Sequence, residues 1–251
     1  MSNKEADNYN PTVLITGANR GIGLEFARQY AELGWKVIAA SRHPDGSDAL
    51  QSLAGQYPDV AIEALDVTKE AQITALASKY SDQPIDLLIN NAGISGRLAF
   101  LSEDFKVEDF RETLEINTFA PLRVSQAFLG SVLQSRHKKI AVMASRLGSI
   151  EYAPLTSVDG PFEGELYYAI SKAGINIGMR RLATKLKSEG VDVALLFPGP
   201  VATDMLKTSG FDPTQIQTPE QAVSGMVGFL DAFESERSGR FFGHDGVEAP
   251  W

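Results

Sequence analysis

Apolar residues fall into two patterns that alternate from one end of the chain to the other. Short, nearly continuous apolar runs occur at "TVLIT" (12–16), "KVIAAS" (36–41), "VAIEAL" (60–65), "DLLIN" (86–90), "KIAVMAS" (139–145) and "VDVALLF" (191–197). Each is rich in β-branched residues, and the lack of in–out alternation is what a strand buried on both faces requires. Between them lie longer amphipathic stretches, at 21–33, 69–80, 107–135, 166–189 and 219–233, with the period of helices. Strand and helix in turn predict an α/β fold: a single Rossmann-type domain over 11–251, with a doubly wound parallel sheet and helices on both faces. Two stretches, 148–165 and 206–219, carry neither period. Both follow strand ends on the side where open α/β sheets bind ligands, so they are expected to wall and cover a site.

Composition narrows the partners. The 251 residues are 43% hydrophobic and 22% charged, ordinary for a globular chain, and the formal charge of −9 argues against nucleic acid and anionic membrane as partners. There is no cysteine, hence no disulfide framework, thiolate metal site or cysteine nucleophile. The opening "MSNKEADNYN" is polar and reads as a flexible tail, and no apolar run is long enough to span a bilayer. A cytoplasmic protein is expected. His43, His137 and His244 are scattered without ligand spacing, so no metal is expected.

Two stretches carry candidate chemistry. Directly after the first strand, "TGANRGIG" opens a helix. Gly17 permits a tight turn, Gly21 lets backbone approach a pyrophosphate, and Gly23 allows close helix packing, with Asn19, Arg20 and Ile22 between them. The second is "LYYAISKAG" (166–174), where Tyr168 and Lys172 stand four apart on one helix face and Tyr167 points about 100° away. A phenol with an unperturbed pKa near 10 carries protons poorly at neutral pH unless a cation lowers that value, and Lys172 can supply one. On the residues alone such a pair is more often a surface contact than a catalytic dyad. Tyr167, whose neighbour one turn on is Ser171, is better read as packing or a subunit contact.

"TGANRGIG", "NNAG" (90–93), "YAISK" (168–172) and "PGPVAT" (198–203) resemble, in order and spacing, the motifs of the single-domain short-chain dehydrogenase/reductases. The ending "GRFFGHDGVEAPW" is further similar to carbonyl reductases of the sniffer and C-factor-like branch. The resemblance implies that Tyr168 protonates a carbonyl oxygen while Lys172 also binds the nicotinamide ribose. It implies that Ser145, at the end of a strand, polarises that oxygen; 22 residues separate it from Tyr168, a longer gap than usual, and Ser149 and Ser157 are the alternatives. It implies that Asn117 holds a water for a proton relay through the lysine, although a polar residue bending a helix ahead of Pro121 would look the same. Asn91, Ala92 and Gly93 would line the adenosine ribose. Pro198, Val201 and Thr203 would pass beneath the nicotinamide, with the Val201 backbone facing the carboxamide and Thr203 near the pyrophosphate. Asp66, followed by Val67, would lie against the adenine, or could cap the helix beginning near Thr68.

The end of the second strand speaks to the dinucleotide. An acid there would bind both ribose hydroxyls and repel a 2′-phosphate; the chain instead has Ser41 and Arg42, and Arg20 can approach the same place. Two guanidinium groups in an acidic protein suit a phosphate, so NADP(H) is expected over NAD(H). Arg42 as a solvated loop residue and Arg20 as the partner of a surface acid are the competing readings. The expected function is NADPH-dependent reduction of a ketone, aldehyde or quinone-like carbonyl; the alternative is a dinucleotide-binding regulatory protein with little turnover. Helices 107–135 and 166–189 are long enough for a dimer face, so a homodimer or larger homo-oligomer is expected.

Overall fold

The computed structural model describes residues 9–96, 106–153, 166–206 and 216–251. Seven strands form one parallel sheet: β1 (Thr12–Thr16), β2 (Lys36–Ser41), β3 (Val60–Ala64), β4 (Leu87–Asn90), β5 (Lys139–Met143), β6 (Asp192–Phe197) and β7 (Phe241–Gly243), in the order β3-β2-β1-β4-β5-β6-β7. The six strands expected from the apolar runs are present, each within two residues of its expected limits. Their continuous hydrophobicity has the anticipated cause. Successive residues of one strand enter opposite cores: Leu14 packs on one face with Val124, Phe128 and Ile175, while Val13 and Ile15 pack on the other with Phe26, Leu50 and Met226.

The helices are α1 (Gly21–Glu32), α2 (Asp48–Gln56), α3 (Glu70–Lys79), α4 (Val107–Leu114), α5 (Ala120–Ala127), α6 (Leu129–Leu133), α7 (Leu166–Leu186) and α8 (Pro219–Asp231). Thr218 and Gln221 start α8 with a reciprocal capping box. Two elements were not foreseen, α2 and β7. The stretch read as one helix over 107–135 is also interrupted, by a π turn at Glu115–Phe119 and a break at Phe128. Of the expected tail, residues 1–8 lie outside the described residues. Tyr9 is tied down, its hydroxyl donating to the buried Asp86 carboxylate at 2.7 Å.

After β3 the chain crosses the sheet to lay β4 against the other side of β1. Strand order reverses there, and the crevice beyond the carboxyl ends of β1 and β4 is where a doubly wound sheet binds ligands.

Candidate active site

The glycine turn is built by sterics. Gly17 and Gly21 have φ of +69° and +54°, a region L-residues rarely enter. At Gly23 a Cβ would lie 2.2 Å from the Gly17 carbonyl oxygen, so no side chain fits. Asn91 pins the turn from β4: its Nδ2 donates to the carbonyl oxygens of Thr16 at 2.9 Å and Gly17 at 3.1 Å. The Thr16 hydroxyl in return accepts the N–H groups of Asn91 and Ala92 at 3.0 and 3.1 Å. The "NNAG" segment therefore locks the strand ends that flank the crevice.

A cavity of about 390 Å³ runs along this crevice. It is lined by the turn residues Gly17 and 19–23, by Ser41 and Arg42, by Asp66 and Val67, by 91–93, and by Tyr168, Lys172, Pro198 and Thr203. The cofactor-contact set read from the sequence thus converges on one cavity, with one exception. Val201 is buried and lines a second, adjoining cavity of about 350 Å³. That second cavity also takes in Ser145, and Tyr168 stands on the wall common to both.

The adenosine end carries the charges. Arg42 is exposed at the cavity rim, and Ser41 beneath it is buried with a hydroxyl oxygen that has no hydrogen-bond partner among the described residues. Burial works to raise the Asp66 pKa, but hydrogen bonds from the Thr68 N–H and hydroxyl, with the charges of Arg42 and Lys69, hold it below the usual value. Asp66 thus caps the turn into α3 and lines the cavity at once. Arg20 donates to Asp204 at 2.8 Å, so its guanidinium bridges the glycine turn to the segment after β6. Here the surface-acid reading of Arg20 is the one realised, while Arg20 and Arg42 still border the same cavity. Sequence reasoning missed His43 and Asp204 as lining residues; their places beside Arg42 and just after "PGPVAT" were the available signal.

At the reaction end, Lys172 is buried, its ammonium donating to the Met143 carbonyl oxygen at 2.7 Å and standing 5.4 Å from the centre of the Tyr168 ring. Burial pulls its pKa down to about 8. Ser145 caps the short turn Arg146–Gly148, its hydroxyl oxygen accepting the Leu147 N–H at 3.2 Å. That turn is pressed on α7, since a Cβ on Gly148 would meet the Lys172 carbonyl carbon at 2.5 Å. Ser149 is buried away from both cavities and accepts the Tyr152 N–H, and Ser157 lies outside the described residues. Tyr167 is buried against Phe110, rings stacked at 4.9 Å, as packing.

Asn117 sits in the π turn behind the cavity wall. Its Oδ1 accepts the Ile94 N–H at 2.9 Å, and its Nδ2 donates to the Ile94 carbonyl at 2.8 Å and to the Ser171 hydroxyl at 3.0 Å. Both N–H groups are used, leaving one lone pair on Oδ1 for any further partner. The Asn117 amide and the Lys172 ammonium converge on Gly93, where a Cβ would lie 3.3 Å from the first and 3.8 Å from the second.

A sequence model of the short chain dehydrogenases matches residues 11–213. The chain belongs to that family. Among curated relatives, this short-chain dehydrogenase is 39% identical to C-signal of Myxococcus xanthus over 70% of its own length and 99% of the relative's. It is 34% identical to 1-hydroxy-2-glutathionyl-2-methyl-3-butene dehydrogenase of Rhodococcus sp. (strain AD45), over 96% and 99%. Among solved structures it is similar to the NADPH-bound carbonyl reductase from chicken fatty liver, with a TM-score of 0.87 at 32% identity over 96% and 99% of the two chains. The carbonyl reductase Sniffer of D. melanogaster gives 0.84 at 25% identity over 97% and 100%.

Proposed function

We propose that this short-chain dehydrogenase reduces a ketone, aldehyde or quinone-like carbonyl to the alcohol with NADPH. The observation that carries the reading is Tyr168, which borders both the cofactor-shaped cavity and the adjoining one, with a buried ammonium behind it. The cavity fits the dinucleotide: a glycine cradle that tolerates no Cβ, a buried Ser41 hydroxyl lacking a partner among the described residues, and Arg42 where an acid would favour NAD(H). The NADPH-bound chicken enzyme and a Burkholderia multivorans relative with bound NADP support the same choice.

When bound, NADPH supplies the hydride that the carbonyl carbon accepts. Tyr168 gives its hydroxyl proton to the carbonyl oxygen. Ser145 accepts from Leu147 through oxygen, so its own O–H is left to hydrogen-bond that carbonyl and stabilise the charge developing on it. Lys172 uses one ammonium N–H on Met143 and keeps two for the ribose hydroxyls, while its charge favours the ionised phenol after proton transfer. Asn117 holds Ile94 and Ser171 in place beside the dyad, with its relay role resting on the last Oδ1 lone pair.

Two wider expectations belong here. Phe119 in the turn before α5, and Ile170 and Ile177 on α7, are half exposed, which supports a homodimer through this face. No helix of the described residues is long and apolar enough to cross a membrane. A cytoplasmic location is our reading of the polar, cysteine-free sequence.

The test is a panel of activated carbonyls run with NADPH and NADH in parallel. Turnover with a strong NADPH bias supports the reading. A regulatory role is the second reading, favoured by the 39% identity to C-signal. Tight NADPH binding with no turnover on any carbonyl would establish it in place of the first.

A further inference from the structure

The adjoining cavity has a feature that the proposed chemistry does not use. Its described lining is mostly apolar, including Leu147, Phe197, Met205 and Leu206, and contains no acidic residue. The one charged side chain among those residues is Arg146, directly after Ser145. In a chain with 32 acidic and 23 basic residues this is an unexpected sign of charge.

The arginine is exposed at the cavity edge and stands on a fixed backbone. Its backbone is fixed by the turn that Ser145 caps, with the Gly148 N–H on the Ser145 carbonyl at 3.0 Å and the Ser149 N–H on the Arg146 carbonyl at 2.9 Å. Its guanidinium stands over two aromatic rings of the cavity wall, 5.5 Å from the centre of Tyr152 and 5.9 Å from that of Phe197. Tyr152 is fixed in turn, its N–H donating to the Ser149 hydroxyl and the neighbouring Glu151 N–H to the Trp251 carbonyl.

Rings attract a guanidinium's charge without serving as hydrogen-bond acceptors for all of its N–H groups, which stay available to an anion. Arg20, Arg28, Arg111, Arg123 and Arg240 each meet a carboxylate within 4 Å. Arg146 has no such partner among the described residues. A planar fork of donors at the rim of an apolar cavity matches a carboxylate in both geometry and charge.

We propose that Arg146 binds a carboxylate on the substrate, so that the preferred substrate is a carbonyl compound bearing an acid group rather than a neutral one. The proposal rests on the reductase reading above, and names the substrate class of the same site.

The experiment compares kcat and KM for 4-carboxybenzaldehyde and its methyl ester with NADPH, in the parent, R146K and R146L. The two aldehydes share a reacting centre and differ in charge. The parent is expected to favour the acid by about tenfold or more in kcat/KM, mainly through KM, as a charge-assisted pair would give. R146L should bring the ratio near one, and R146K should retain part of it. An equal ratio in parent and R146L, or a preference for the ester in the parent, overturns the proposal. If neither aldehyde is reduced, the reductase reading fails instead, and calorimetry with benzoate on the NADP-loaded protein decides the anion site. Binding lost in R146L supports it, and no binding to the parent overturns it.

Discussion

The Lys172 ammonium donates to the Met143 carbonyl oxygen at 2.7 Å inside the protein, and the one cause acting on its pKa is burial. A charge kept there without a carboxylate partner among the described residues costs stability. The Tyr168 ring lies 5.4 Å away, where the proposed proton transfer would give that charge a use.

Lys172→Met should therefore separate stability from function. The folded pKa is near 8 and the unfolded value near 10.5, so the unfolded chain binds more protons between those limits. The parent carries the full burial penalty below pH 8, about 3 kcal/mol at 1.36 per unit, and is relieved of it as pH rises towards 10.5. The variant should match or exceed the parent's Tm at pH 7 and lose that advantage at pH 10, while its kcat falls about a hundredfold or more. Thermal melts across this range, read as the difference between the two proteins, check it.

Asn91→Ala removes the donor that holds the carbonyls of Thr16 and Gly17. The expected cost is about 1–3 kcal/mol of stability and a weaker grip on NADPH by roughly tenfold. Denaturant melts and a fluorescence titration with NADPH measure the two effects separately.

Arg42→Asp should raise KM for NADPH by about tenfold or more and leave NADH far less affected, because the new carboxylate repels a 2′-phosphate. Asp204→Asn makes the opposite test. It frees Arg20 from its partner beside the same cavity, and NADPH should bind a few-fold tighter at low salt, with the gain fading as salt rises.

Gly23→Ala places a methyl group 2.2 Å from the Gly17 oxygen and 2.5 Å from Asn91 Nδ2. The turn must shift, so NADPH binding should be lost together with part of the thermal stability. Unchanged affinity by titration would contradict the close packing of α1 on the turn.

What could be read from the chain follows its physics. Five of the six expected strands are buried on both faces, so their apolar runs stand out; β3, at the sheet edge, buries only Val60, and its partly exposed residues depart from the expectation of two covered faces. The short helix α2 spans nine residues and buries only Leu50 and Leu53, too few apolar positions to mark it out as a helix. The edge strand β7 is three residues long, below the length at which a run is distinguishable from a loop. The π turn leaves no trace in hydrophobic spacing, because its local pattern is held by tertiary hydrogen bonds between Asn117 and residues 94 and 171. In the site, helix geometry makes Tyr168 and Lys172 neighbours, and the resemblance of four motifs to the short-chain dehydrogenases singles the pair out as candidate catalytic residues. The places of Arg146, His43 and Asp204 depend on how three loops meet, which local spacing does not encode.

The most direct measurement is the rate of carbonyl-dependent NADPH consumption by Tyr168→Phe, with NADPH affinity measured on the same sample. The account predicts a loss of about a hundredfold or more in kcat with affinity changed little, since one oxygen is removed and the cavity kept. A variant that binds NADPH and turns over at the parent's rate would contradict it.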